Sequence, residues 1–179
     1  MTASRTVDIE FVIDESASLP ESGLIRGGFR IMVAGEAVTR YETDRPADVA
    51  YDWQSEYVGE YLLRDLGNLL NALAQIQQGE VEVYEPIETG IEAHDGYVLM
   101  EPLDHGVVRL AFRSHPDGSH STPVPPDVAT GVAVDLDAVV SAVINASNNV
   151  LDDPAIGHDA VQPERDVLRD RINVLNECR

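Results

Sequence analysis

The sequence predicts an α+β fold, with antiparallel sheets built from hairpins, one long central helix packed against them, and two further helices in the C-terminal part. Three observations lead there. Apolar and polar residues alternate over short stretches before residue 45 and again between 80 and 113, the period-two mark of half-buried strands. Between these stretches the apolar period becomes that of a helix. The strand stretches also follow one another across short turns, which implies antiparallel pairing and not a wound parallel sheet.

Taken in order, Val7 to Asp14 has every odd position apolar, a strand with one buried face. Leu19-Pro20-Glu21-Ser22-Gly23 is rich in turn residues. Phe29–Ala34 and Ala37–Tyr41 form a predicted hairpin around Gly35-Glu36, with Phe29, Ile31 and Val33 on one face. The pair Gly27-Gly28 precedes a strand and no helix, so it marks a bulge or tight bend and not a phosphate loop. From Trp53 to Gln78, Val58, Leu62, Leu66, Leu69, Leu73 and Ile76 follow at spacings of 4, 4, 3, 4 and 3, one face of a helix. Gly79 lies just past its end.

Val81 and Val83 alternate with glutamates and suggest a short strand closed by Pro86. Tyr97–Glu101 and Val107–Arg113 then pair as a hairpin across residues 102–106. Its apolar face holds Val98, Met100, Val108, Leu110 and Phe112, and Arg109 and Arg113 lie on the other with Glu101 in reach across the pair. After a polar loop and Val132-Ala133-Val134, Asp135 or Asp137 caps a second helix through Leu136, Val139, Val140, Val143 and Ile144. Pro163 opens the last helix, whose narrow apolar stripe is Val167, Leu168, Ile172 and Leu175. Residues 1–160 are assigned to a single domain, and 161–179 to a helix that packs on that domain or on a partner.

Apolar residues make up 44% of the 179, enough for a core, yet 32 acidic residues face 12 basic ones for a net charge of −20. All twelve are arginine; lysine is absent. In dilute buffer such a surface repels itself, whereas at 1 M salt the Debye length falls to roughly 3 Å and the repulsion is screened. The acid excess, the missing lysine and the small apolar residues resemble the proteins of haloarchaea that accumulate salt. The charge also argues against nucleic acid and anionic membranes as partners, since the arginines are scattered and those at 165, 169 and 171 are interleaved with Glu164, Asp166 and Asp170. A lone cysteine, Cys178, rules out an internal disulfide and a cysteine-based zinc site. The first residues lack an apolar signal core, and no run reaches about 18 apolar residues, so a cytoplasmic location is expected.

The sequence carries no nucleophile elbow, phosphate loop, zinc-binding helix or dinucleotide fingerprint, and no cofactor is expected. His94-Asp95 and Asp104-His105 flank the Tyr97–Arg113 hairpin, and imidazole with carboxylate at one end of a sheet is a candidate metal site. Ser114, His115, Ser119, His120 and Ser121 share a loop, but a serine nucleophile needs a base and an oxyanion donor that sequence neighbours rarely supply. Trp53 and Tyr57, one turn apart at the predicted helix start, either staple the chain to the core or, with Arg109 and Arg113, offer a binding surface.

The layout of Phe29-Arg30-Ile31-Met32-Val33-Ala34-Gly35-Glu36, the long helix to Gln78, the Tyr97–Arg113 hairpin and a following helix resembles small immunity proteins of bacterial toxin systems. The resemblance spans most of the chain through layout alone, and it implies a protein that works by binding, through a protein partner or self-association. The expected function is therefore a non-catalytic binding or regulatory protein of a halophile. The alternative is a metal-assisted hydrolase using His94, Asp95, Asp104 and His105.

Overall fold

The computed structural model describes residues 5–15, 18–39, 57–91, 96–114 and 131–179. Its architecture is α+β, with two antiparallel sheets and three helices around one core. The first sheet has the order β1 (Val7–Ile13), β2 (Gly27–Val33), β3 (Glu36–Ala37). The second runs β4 (Ile87–Ile91), β5 (Gly96–Leu103), β6 (Val107–Ser114), β7 (Val132–Asp135). The helices are α1 (Leu62–Gln77), α2 (Leu136–Leu151) and α3 (Gln162–Glu177).

The odd-numbered residues of β1 and β2 share the inner face. Phe11 is paired with Phe29 and Ile9 with Ile31, and Phe29 and Ile31 are fully buried. The even positions point outward and set Glu10 opposite Arg30. The β2–β3 turn is Ala34-Gly35, one residue earlier than the spacing suggested; both have positive φ, 51° and 84°, the hairpin geometry that suits strand twist. Gly27 and Gly28 sit in regular register opposite Ile13 and Val12, with no bulge. A Cβ on Gly27 would stand 2.4 Å from the Val12 carbonyl oxygen and 3.3 Å from Leu62, so close approach of backbone and helix explains the glycine there.

The central helix begins at Leu62 and not near Trp53, which lies outside the described residues. Residues 58–61 are extended and pair with β2: Phe29 and Val58 exchange both backbone hydrogen bonds at 2.9 Å, and Gly27 N donates to Glu60 O at 3.0 Å. Gly59, at φ 108°, cannot belong to a helix. Val58 falls four residues before Leu62 by coincidence with the stripe; its buried neighbour is β2. Within α1, Leu62, Leu66, Leu69, Leu70 and Leu73 are wholly buried.

The strand expected at Val81 and Val83 is a turn instead. Glu85 N bonds back to Glu82 O at 3.0 Å, and Tyr84 has φ 69°. The strand is β4, where Ile87 and Thr89 alternate inward opposite Met100 and Val98. The hairpin of β5 and β6 has the predicted faces: Val98, Met100, Val108, Leu110 and Phe112 are buried, and Glu101 pairs with Arg109 on the other side. Asp135 caps α2, its carboxylate accepting from Asp137 N and Ala138 N. Leu168, Ile172 and Leu175 dock α3 on α1 within the common core, whereas Val167 is 47% exposed and belongs to another side of the helix. No helix among the described residues is long and apolar enough to cross a membrane.

Candidate functional site

The outward side of β1 and β2 carries the most organised polar surface among the described residues. Cross-strand register puts Glu10 beside Arg30, whose Nε and Nη2 reach Glu10 Oε2 at 3.0 and 2.7 Å. The Arg30 guanidinium lies 4.9 Å from the Tyr57 ring centroid, and the Tyr57 hydroxyl donates to the same Glu10 oxygen at 3.3 Å. One charged pair is thus stacked on one aromatic ring.

The pattern repeats where the 58–61 segment runs beside β2. Arg26 is bridged to Tyr61 across the backbone, forms an ion pair with Glu60, and lies 5.1 Å from the Tyr61 centroid. Arg64, in the first turn of α1, lies 5.6 Å from the same ring. Its Nε and Nη2 reach Glu164 Oε1 at 3.2 and 3.0 Å and tie α1 to α3. A shallow notch lined by Leu24, Ile25, Leu63 and Arg64 closes this end.

The support is local and buried. Asp65, 1% exposed, reaches back from α1 so that its Oδ2 accepts the Glu60 amide at 3.1 Å. That carboxylate needs room, and a Cβ on Gly59 would stand 2.6 Å from Oδ2. Glycine at 59 therefore meets two demands, a left-handed backbone and a close carboxylate. Together these contacts fix where Glu60, Tyr61 and Arg64 stand.

Chemically the face suits recognition. Guanidinium groups stay charged at any physiological pH and present several donors in a rigid fork. Stacking on tyrosine adds about 0.5–1 kcal/mol per exposed contact and keeps the side chains in place. Three arginines answer three glutamates, so the face is charge-balanced on a chain of net charge −20.

Of the residues singled out from sequence, those that are described fall in different places: Tyr57 on this face, Arg109 and Arg113 on the second sheet, and Asp104 and His105 in the turn between β5 and β6. Tyr57 belongs to the face; Trp53 lies outside the described residues. Arg109 and Arg113 stand on the outward side of the second sheet, where Arg109 Nη1 meets Glu101 Oε2 at 2.7 Å and Arg113 Nη1 donates to Phe112 O at 3.0 Å. Of the metal candidates, His94 and Asp95 lie outside the described residues, as do the serines and histidines of 115–121. Gly96, the first described residue after that pair, is opposite Ser114, while Asp104 and His105 turn the other end of the hairpin. An eight-residue strand separates these ends, roughly 23 Å at the usual rise.

His105 has φ 66°, and Asp104 Oδ2 accepts the Tyr84 hydroxyl at 2.5 Å. That hydrogen bond, then partial desolvation, then the charges of Asp104 and Glu101 push the Tyr84 phenol above its ordinary 10.0. Among the described residues no three His, Cys, Asp or Glu side chains gather as a metal site.

Sequence reasoning missed Glu10, Arg26, Arg30, Glu60, Tyr61, Arg64 and Glu164 as a group. The outward parity of Glu10 and Arg30 was visible, but the long connection between β1 and β2 left their register open. Compared with protein-family models, with curated proteins and with solved structures, the chain finds no match in any of the three.

Proposed function

We propose that this chain is a non-catalytic binding or regulatory protein, immunity-like in its layout, which works in the near-saturating salt of a halophile's cytoplasm and holds a protein partner on the Arg–Tyr–Glu face. The observation that carries this reading is the stacking of Arg26, Arg30 and Arg64 on Tyr57 and Tyr61. Arginine and tyrosine, with tryptophan, are enriched among the residues that anchor protein interfaces, and here they are held in place before any partner arrives.

Salt sharpens the argument. Where the Debye length is roughly 3 Å, an acidic shell cannot steer or hold a partner from a distance. Stacking and short ion pairs remain, and these are the contacts the face offers. The order of sheet, long helix, second sheet and further helix supports the same class.

The test is capture in about 3 M KCl, where screening is near complete, from an extract of the source organism. The wild-type chain is compared with Arg30→Ala/Tyr61→Ala. The expected result is a stoichiometric protein held by the wild type and lost by a variant that still melts cooperatively. Retention by both, or by neither, would remove the face from the account. Metal analysis of the same preparation addresses the hydrolase alternative at His94, Asp95, Asp104 and His105: a stoichiometric metal would move the function there.

A further inference from the structure

β1 is the outer strand of the first sheet, and its register decides which of its backbone groups are left over. Phe29 exchanges both hydrogen bonds with Val58, so its backbone faces away from β1 and its pair with Phe11 is of the non-hydrogen-bonded kind. Alternation then places the bonded pairs at Asp8–Met32, Glu10–Arg30 and Val12–Gly28. The flanking bonds agree: Ala34 N donates to Thr6 O and Asp14 N to Arg26 O, both at 2.9 Å. The N–H and C=O of Val7, Ile9, Phe11 and Ile13 therefore point outward, and no described residue bonds to them. On the inner face Ile9, Phe11 and Ile13 stay half-buried although α2 packs against the strand, while Phe29 and Ile31 on β2 are fully buried. On the outer face Asp8 and Glu10 are exposed.

We infer that the free edge of β1 takes an extended strand of a protein partner, laid antiparallel and alternating apolar residues with arginine or lysine. A row of unpaired N–H and C=O groups is a template for another strand, and the antiparallel ladder is the more stable one. Apolar side chains of the added strand lie opposite Ile9, Phe11 and Ile13 and extend the inner face. Its basic side chains lie opposite Asp8 and Glu10, in the closer, non-hydrogen-bonded pairs. A second copy of β1 fits poorly, because outward bonds require odd residues to face odd ones, and like charges directly opposite repel. A two-fold centred on Ile9 sets Asp8 against Glu10, one on Glu10 sets Glu10 against itself, and one on Phe11 sets Asp8 against Asp14. The inference rests on the binding reading above for there being a partner. It adds which part of that partner docks beside Glu10, Arg30 and Tyr57.

The test is amide hydrogen exchange, read by NMR on the full chain in about 1 M KCl, where long-range attraction of a cation to the acidic surface is screened. In the free chain the amides of Ile9, Phe11 and Ile13 should exchange fast, and those of Asp8, Glu10 and Val12 slowly. The probe is an acetylated, amidated octapeptide alternating valine and arginine. At about 1 mM it should slow exchange at Ile9, Phe11 and Ile13 at least roughly tenfold. N-methylation of its valines, which face the ladder, should abolish this; N-methylation of its arginines, whose amides face away, should not. Asp8→Arg, an exposed change, should weaken the peptide at least about fivefold. Slow exchange at those three amides in the free chain, no slowing by the peptide, equal slowing after valine methylation, or indifference to Asp8→Arg would overturn the inference. Arg30→Ala/Tyr61→Ala leaves the backbone of the edge intact and separates the two readings. Partner capture lost by that variant with a failed peptide removes only the edge, and peptide protection with capture indifferent to the variant removes only the face.

Discussion

On the contact face, from the outward side of the first sheet to the ends of α1 and α3, each of three glutamates has an arginine against it: Glu10 with Arg30, Glu60 with Arg26, Glu164 with Arg64. On the approach to the second sheet, Glu80, Glu82, Glu85 and Glu88 stand exposed, with no ion pair among the described residues, and Asp104 takes a tyrosine hydroxyl instead. The same side chain is used in two ways. Paired and stacked, it holds a neighbouring arginine in place. Exposed beside its like, it contributes repulsion that salt removes. Mutation should therefore damage the first region, and dilution the second.

The largest effect is expected from the support of the face. Gly59→Val forces a β-branched residue to φ 108° and a Cβ to within 2.6 Å of Asp65 Oδ2. Strain and overpacking together should cost about 3 kcal/mol in urea unfolding. Next is Asp65→Ala, which leaves the Glu60 amide without its buried acceptor and should cost about 1–3 kcal/mol; Asp65→Asn, which keeps an acceptor oxygen, should recover part of it.

In the second region the effects are smaller and depend on conditions. Glu82→Gln/Glu85→Gln should raise Tm in dilute buffer and leave it unchanged in molar KCl, since only unscreened repulsion is relieved. An equal rise in both would mean that some contact other than repulsion had changed. The smallest effect concerns Tyr84, whose phenol ionises above 10.0 because it donates to Asp104. A raised folded value means that its contribution is complete below pH 10 and is lost as pH climbs through that value. Ultraviolet titration, with Tyr84→Phe to assign the signal, should show Asp104→Asn returning the ionisation toward 10.0.

Much of the scaffold was legible, for reasons that differ from element to element. The α1 stripe from Leu62 to Ile76 and the cap at Asp135 are local signals, written within a few residues. Glu101 and Arg109 were legible because a short turn fixes the register of β5 and β6. Val58 misled because one valine at a spacing of four cannot distinguish a helix from an extended segment; the better signal was Gly59, costly inside a helix. Val81 and Val83 hid β4, whose own alternation at Ile87 and Thr89 is just as plain but lies beyond Pro86.

The contact face was not legible. Arg64 and Glu164 are a hundred positions apart, and Glu10, Arg30 and Tyr57 meet only after a pairing that no short turn announces. Of the metal candidates only Asp104 and His105 are described, in the turn between β5 and β6, and His94-Asp95 lie outside the described residues.

The most direct measurement is thermal unfolding of the full chain from dilute buffer to near-saturating KCl. If the acid excess is a salt adaptation and the paired face a contact surface within it, Tm should climb steeply over the first molar, as the Debye length falls from about 10 Å at 0.1 M to roughly 3 Å. A Tm indifferent to salt would contradict this, and the carboxylates around Glu82 and Glu85 would then have to be explained by a basic partner.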